Sequence, residues 1–448
     1  MIEPATEQVL AEVPLAGVEE ADAAVARAKA AYPAWRALAP RERANALRRL
    51  ASAVEREAGK LATLEARNVG KPISDARGEV SMVVDVFNYF AGAPERLFGE
   101  TIPVAGGVDM TFREPLGVVA LIVPWNFPLA IASWKVGPAL AAGNTIVLKP
   151  AALTPLTAIE LERIALEAGL PEGVLNVVVG AGRTVGERLV EHPDVAKVAF
   201  TGSTEVGMRI GQLAAASIKR VTLELGGKSA NIVFADADLE KAAASAPLAV
   251  FGNAGQDCCA RSRILVERSA VDRFMHALEA SVKALRVGDP LDEKTEMGPL
   301  ISADQRDKVA SYLQDGAHVA IRGSAPGGPG FWFPPTVLSP VANTDRAARE
   351  EIFGPVAVVI PFEDEADAIR IANDTVYGLS GSIWTGNAGR AMRVARALET
   401  GTISINSNNS VRVTTPFGGF KQSGIGRELG PHALEHYTEL KNVFLSTT

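Results

Sequence analysis

The chain has two cysteines, and they are neighbours. Cys258 and Cys259 lie in Gly255-Gln256-Asp257-Cys258-Cys259-Ala260, a tight, mostly polar turn after an apolar stretch. A thiol preceded by Gly-Gln-Asp is suited to a surface or cleft, where it could attack an electrophile; the plainer reading is an inert, buried cysteine. With a free pKa of about 8.5 the thiol is mostly protonated at neutral pH, so nucleophilic work needs a base or positive local potential. Glu224 closes the apolar run 221–223 and is followed by Gly226-Gly227. Carboxyl ends of strands in open α/β sheets face ligand crevices, although a solvated strand end or salt-bridge partner would look the same. Phe200-Thr201-Gly202-Ser203-Thr204-Glu205-Val206-Gly207 runs from a strand end into a helix pattern. Ser203 and the amides after it could hold a phosphate at the helix N-terminus, or merely cap the helix. Neither this segment nor Gly180-Ala181-Gly182-Arg183-Thr184-Val185-Gly186 fits Gly-x-Gly-x-x-Gly, so a dinucleotide site here would lack the usual loop. Two adjacent cysteines supply neither a disulfide framework nor a Cys-based zinc site. The five histidines show no metal-ligand spacing, and His432 with His436 read as surface residues.

These residues need a scaffold. The first ninety residues read as helices: Leu47, Leu50, Val54, Leu61 and Leu64 recur at helical spacing between Pro40 and Gly70-Lys71-Pro72. Apolar runs at 118–123, 145–148, 174–178, 197–200 and 221–223 read as buried strands, with helical patterns at 157–168 and 185–191. Such alternation implies a parallel sheet covered on both faces. It pauses near Gly227 and resumes at 231–234, 264–266, 356–360, 380–384 and 402–405. The expected fold is therefore α/β, two doubly wound domains meeting near Gly227. Segments 101–112 and 439–448 are strand-like and fit neither domain; they could pair as an oligomerisation arm. Gly-Pro-rich 325–335 reads as a surface loop.

Composition sets the outer limits. The 448 residues carry 45 Lys and Arg against 52 Asp and Glu, a net charge of −7, with 47% hydrophobic and 22% charged residues. That is ordinary globular composition, and the acidic balance gives no footprint for nucleic acid. Residues 115–134 are uncharged, but Pro124, Asn126 and Pro128 break any helix there, so no membrane association is expected. Met1 is followed by neither a basic start nor an apolar core, and a soluble, cytoplasmic chain is expected.

Seven segments in order carry a resemblance. They are Pro124-Trp125-Asn126-Phe127-Pro128, Leu148-Lys149-Pro150, the run from Phe200 to Gly207, the run from Glu224 to Lys228, the Cys258 turn, Glu351-Ile352-Phe353-Gly354-Pro355, and Pro416-Phe417-Gly418-Gly419 with Ser423-Gly424. Together they resemble the aldehyde dehydrogenase superfamily over nearly the whole chain. The resemblance implies an NAD- or NADP-dependent oxidation of an aldehyde to a carboxylic acid. It makes Cys258 the nucleophile by register, Asn126 the oxyanion donor with the Cys258 backbone N–H, and Glu224 the general base. It puts Trp125, Lys149, Gly182, Phe200, Gly202, Ser203, Leu225, Glu351 and Phe353 at the cofactor, and assigns no metal. It divides the chain into a cofactor domain (1–96 and 116–227), a catalytic domain (228–425) and an arm (97–115 and 426–448), assembled as a homodimer or homotetramer. It sets in at Glu3-Pro4-Ala5-Thr6, about one β-hairpin into the usual family pattern.

Two departures matter. Where the family commonly has a ribose-chelating glutamate, three residues after Lys149, this chain has Ala152. That removes a charge that would repel a 2′-phosphate, and Lys149 with Arg183 could attract one, so NADP use is expected to be open. The access tunnel would be lined by Phe127, Ile131, Trp134, Asp257, Cys259, Asn409 and Val411. The Asn253–Cys258 run looks most like the aminobutyraldehyde dehydrogenases of the betaine aldehyde-like branch, and Asp257 beside the nucleophile suits an amine. The expected substrate is thus an ω-aminoaldehyde or its acylated form. Arg412 would instead favour a semialdehyde carboxylate, and from another class a cofactor-free cysteine hydrolase would use Cys258 and Glu224.

Overall fold

The structure is a computed structural model and describes residues 1–314, 317–409 and 411–448. Helices Val18–Ala37, Pro40–Arg56, Ala58–Val69 and Ile73–Ala91 occupy most of the first ninety residues, whereas residues 1–17 are turns and isolated bridges rather than helix. The stretch between Pro40 and Gly70 is two helices rather than one. Pro40 starts the first, where the Glu42 carboxylate turns back to accept the Ala39 N–H at 2.8 Å. Helices Pro40–Arg56, Ala58–Val69 and Ile73–Ala91 pack on one another and on helices Pro128–Ala142 and Leu156–Glu167, while Val18–Ala37 packs on the first sheet.

That sheet has six strands in the order Leu175–Val177, Thr145–Lys149, Val118–Ile122, Val195–Thr201, Arg220–Glu224 and Gly424–Ile425. The first five are parallel, and Gly424–Ile425 adds antiparallel at the edge. The earliest strand, Val118–Ile122, lies inside the order, so the connections diverge from it and leave a crevice between its carboxyl end and that of Val195–Thr201. Val118–Ile122 and Thr145–Lys149 are buried along their whole length, which is why they read as unbroken apolar runs.

The second sheet orders Val319–Arg322, Thr336–Leu338, Val356–Phe362, Arg263–Glu267, Ala230–Val233, Ser380–Trp384 and Thr402–Ile405. All are parallel except the Val319–Arg322 edge. The chain passes from one sheet to the other between Glu224 and Ala230. Both sheets carry helices, giving two doubly wound α/β domains.

The remaining strands form a small antiparallel sheet. Thr101–Val104 and Gly107–Pro115 make a hairpin around Gly106 (φ 78°), and Thr438–Ser446 pairs with the second strand from Thr438 opposite Pro115 to Ser446 opposite Gly107. Segments 101–112 and 439–448 therefore do pair. Segment 325–335 is not wholly at the surface: Phe331 and Phe333 are buried, and Phe331 donates its N–H to Pro4 at 3.0 Å. Residues 115–134 form a strand, a turn and the start of helix Pro128–Ala142; no helix among the described residues is long and apolar enough to cross a membrane.

Candidate active site

Helix Leu239–Phe251 ends in a turn that uses left-handed backbone at Asn253 (φ 49°), Ala254 (φ 55°) and Gly255 (φ 71°). A side chain at Gly255 would also strike the Gly354 carbonyl, 2.2 Å from its Cβ position, so glycine is required twice over. Side chains hold the strained backbone. Asn253 Nδ2 donates to the carbonyls of Asn126 (3.0 Å) and Gln256 (3.3 Å), Gln256 Nε2 donates to Asn253 O (3.1 Å), and Gln256 Oε1 accepts the Ile301 N–H (2.9 Å). Asp257 Oδ1 then accepts the Cys259 N–H at 2.8 Å. This turn separates the two thiols: Cys258 lines a cleft, whereas Cys259 is buried in the apolar core.

Asn126 meets Cys258 from the other sheet's side. It sits in the turn between strand Val118–Ile122 and helix Pro128–Ala142, and its Nδ2 donates to Gln256 O at 2.9 Å. An amide nitrogen has two protons, so one remains for an oxyanion formed at Cys258.

The two ionisable groups are both shifted toward neutrality. A hydrogen bond with Cys259 is the largest cause raising the Cys258 thiol well above its usual value; burial and the charge of Asp257 add to it. Burial, then the charge of Glu428, raises the Glu224 carboxyl well above the usual range. Glu224 ends strand Arg220–Glu224, is 3% exposed, and neither of its oxygens has a hydrogen-bond partner among the described residues. Its loop lies against Cys258: a Cβ at Gly227 would stand 2.3 Å from Cys258 O. Glu224 itself is not among the residues lining the cofactor-side cleft; its Oε1 lies by Gly418, near the buried ion pair of Lys135 and Glu428. Lys135 Nζ also donates to Thr201 Oγ1 at 2.7 Å. Lys135 escaped the sequence reading, although a lysine inside the otherwise apolar helix Pro128–Ala142 was a signal. Glu439, by contrast, pairs with Arg220 at the surface.

One cleft of about 500 Å³ gathers every residue expected at the cofactor: Trp125, Lys149, Gly182, Phe200, Gly202, Ser203, Leu225, Glu351 and Phe353, together with Asn126, Cys258 and Ala152. It opens at the divergence of the first sheet. Ser203 caps the helix Thr204–Ala215, accepting the Val206 N–H at 3.3 Å, so the helix N-terminus faces the crevice as an anion site. Among the described residues Lys149 Nζ donates only to Pro150 O (2.9 Å), and burial lowers its pKa to about 8; an anionic or hydroxyl-rich ligand would satisfy its remaining protons. Glu351 Oε1 accepts the Gly227 N–H at 2.9 Å. Phe353 holds a left-handed backbone (φ 57°), with its carbonyl accepting from Gln305 Nε2 at 2.7 Å and its ring edge-on to Trp125 at 5.3 Å. A capped helix N-terminus, a buried cation, a carboxylate and an aromatic pair gathered on one cleft fit a dinucleotide.

The expected tunnel residues are split. Ile131, Trp134 and Cys259 belong to one buried apolar cluster, with Phe127 and Val411 packed against it and the Trp134 ring 5.2 Å from Phe417. Asp257 is turned inward on the Cys259 N–H, and burial raises its carboxyl. Arg412 lies on an outer cavity with Asp85, and Asn409 is exposed. His436 is not a surface residue: it is half-buried and its Nε2 accepts the Arg427 N–H at 3.0 Å.

Comparison with known proteins agrees with this geometry. The sequence profile of the Aldehyde dehydrogenase family matches residues 1–443. An aldehyde dehydrogenase of Emericella nidulans is 46% identical over 394 residues, 87% of this chain and 79% of that protein. A betaine aldehyde dehydrogenase of Bacillus subtilis is 44% identical over 402 residues, 88% of this chain and 82% of its own. The crystal structure of a betaine aldehyde dehydrogenase from Staphylococcus aureus in complex with NAD+ superposes with a TM-score of 0.97 at 39% identity, covering 100% of this chain and 91% of that one. The thiol, its amide partner and the dinucleotide-shaped cleft are thus met in a chain that belongs to the aldehyde dehydrogenase family.

Proposed function

We propose that this enzyme oxidises an aldehyde to a carboxylic acid by covalent catalysis at Cys258, with NAD or NADP in the cleft beside it. The observation that carries the reading is the contact of Asn126 Nδ2 with Gln256 O at 2.9 Å, which sets an oxyanion donor beside a cleft-lining thiol. The resting thiol is protonated; it loses its proton to solvent in the cleft, and the resulting thiolate sulfur adds to the carbonyl carbon. Asn126 and the Cys258 backbone N–H meet the negative charge that develops on the aldehyde oxygen. When bound, the nicotinamide dinucleotide supplies the acceptor for the hydride that leaves that carbon. Glu351, Phe353 and Trp125 orient it, and Lys149 with the Ser203 helix N-terminus hold its far end. Glu224 takes the proton of the water that hydrolyses the resulting thioester on Cys258.

Ala152 places no carboxylate beside Lys149, so we expect both cofactors to be turned over and Ala152→Glu to shift the preference to NAD. The apolar tunnel and the inward-turned Asp257 favour an uncharged chain, which points to the acylated form of an ω-aminoaldehyde over its free ammonium. The residue ranges 1–96 with 116–227, 228–425, and 97–115 with 426–448 would serve as cofactor unit, catalytic unit and oligomerisation arm.

The test is initial-rate dinucleotide reduction with an aldehyde panel, for wild type and Cys258→Ala. Highest kcat/KM for a 4-acylaminobutyraldehyde supports the substrate assignment; betaine aldehyde as best substrate would overturn it and give that role to the Trp134–Phe417 pair as a cation site.

A further inference from the structure

A buried cation lies beneath the Asn126 turn, and nothing in the chemistry above uses it. Lys71 stands between Gly70, which ends helix Ala58–Val69, and Pro72, which caps helix Ile73–Ala91. It is 1% exposed. Its ammonium pairs with Glu79, lies 3.8 Å from Glu65 Oε2, and sits 4.4 Å from the centroid of the Phe127 ring. Enclosing a charge this completely is costly, and an apolar side chain would fill the same space without that cost. The contacts it makes are therefore the notable point.

Those contacts converge on one turn. Glu65 uses its other oxygen to accept the Leu129 N–H at 3.2 Å and the Thr157 hydroxyl at 2.6 Å. Leu129 is in the first turn of helix Pro128–Ala142, so Glu65 caps that helix from a distant element. The cation–ring contact fixes Phe127 from below, and Pro128 fixes the backbone dihedral after it. Asn126, the residue before Phe127, is thus anchored from its C-terminal side. The charge of Lys71 also reaches Asp257 in the opposing turn and draws its carboxyl downward against burial.

We propose that Lys71, through Phe127 and Glu65, is a positioning residue that aims the Asn126 amide at the oxyanion formed on Cys258. This rests on the roles given above to Cys258 and Asn126. The role is specific to steps that build an oxyanion. Lys71→Met is expected to lower kcat/KM for aldehydes about ten-fold or more, with Lys71→Arg recovering part of the loss. Alkylation of Cys258 by iodoacetamide passes through no oxyanion, so its rate is expected to stay within about two-fold. In Asn126→Ala, adding Lys71→Met is expected to cost no further activity, because the two act as one unit.

Because Lys71→Met leaves Glu65 and Glu79 without their cation, the double variant Lys71→Met/Glu79→Gln is measured alongside it. The inference is overturned if aldehyde turnover and alkylation fall together, if neither falls, or if the losses from Lys71→Met and Asn126→Ala multiply. A normal rate in Asn126→Ala would overturn it too, but by failure of the catalytic assignment, which that single variant reports separately.

Discussion

Burial, then the charge of Glu428, raises the Glu224 carboxyl, and this fixes the direction of the pH response. Such a carboxyl is inactive as a base below its shifted pKa and active above it, so deacylation is expected to accelerate as pH rises through that raised pKa. Glu224→Gln should lower turnover by about 10²-fold or more and flatten that limb of the kcat–pH profile. Lys228 gives a stability test of the same kind. It is buried, its Nζ has no hydrogen-bond partner among the described residues, and burial, then the charge of Arg263, lowers its pKa from 10.5 to about 7. Between those values the unfolded chain binds more protons than the native one, so stability rises with pH across the window. Lys228→Met is expected to remove part of the rise in thermal midpoint between about pH 7 and 9, the rest coming from Lys197 and Lys149, which burial lowers to about 7 and about 8. The order of short motifs singled out Cys258 and Asn126 from the chain alone, and the structure brings both to one cleft. What separates the two thiols is a turn that sends Cys258 to a cleft and Cys259 to the core. Lys135 left one mark, a lone lysine in an apolar helix, but its pairing with Glu428 stayed hidden because an ion pair between distant segments leaves no local pattern.

The loop joining the two sheets carries the tightest geometric demand. Gly227 passes so close to Cys258 O that Gly227→Ala must displace one backbone or the other. A shift of about 1 Å in the nucleophile is expected to cost about 10²-fold in kcat/KM with little loss of helical signal. Asn144 joins three elements: Oδ1 accepts the N–H groups of Leu116 (2.7 Å) and Gly117 (3.1 Å), and Nδ2 donates to Ala139 (3.2 Å) and Tyr437 (2.9 Å). Its replacement by alanine strands several buried groups and is expected to lower stability by about 3 kcal/mol in denaturant unfolding. Most strands could be read from sequence because burial on both faces writes a continuous apolar run. Segments 380–384 and 402–405 coincide with observed strands Ser380–Trp384 and Thr402–Ile405. The helical pattern read at 185–191 begins inside the π-helical turn Gly182–Gly186 and continues in helix Glu187–Glu191, since the change of backbone register carries no compositional mark. In 325–335 the Gly-Pro content concealed two aromatic residues that turn inward.

At the level of the whole molecule, the three-stranded sheet is half-finished. Thr438–Ser446 is an open edge, and Phe112, Leu440, Phe444 and Leu445 are each exposed by 46–56%. An apolar open edge invites pairing with another copy, so a homodimer or homotetramer is expected by light scattering. Phe444→Glu with Leu445→Glu should lower the mass toward the monomer. The same architecture sets two turns from different sheets around one thiol, and the most direct test is to trap what forms there. Glu224→Gln, mixed with saturating aldehyde and dinucleotide and quenched with acid, is expected to release about one reduced dinucleotide per site in a burst. Intact and peptide mass spectrometry should then find the acyl group on Cys258. Reduced dinucleotide formed without any adduct on Cys258, or an adduct on Cys259, would contradict the account.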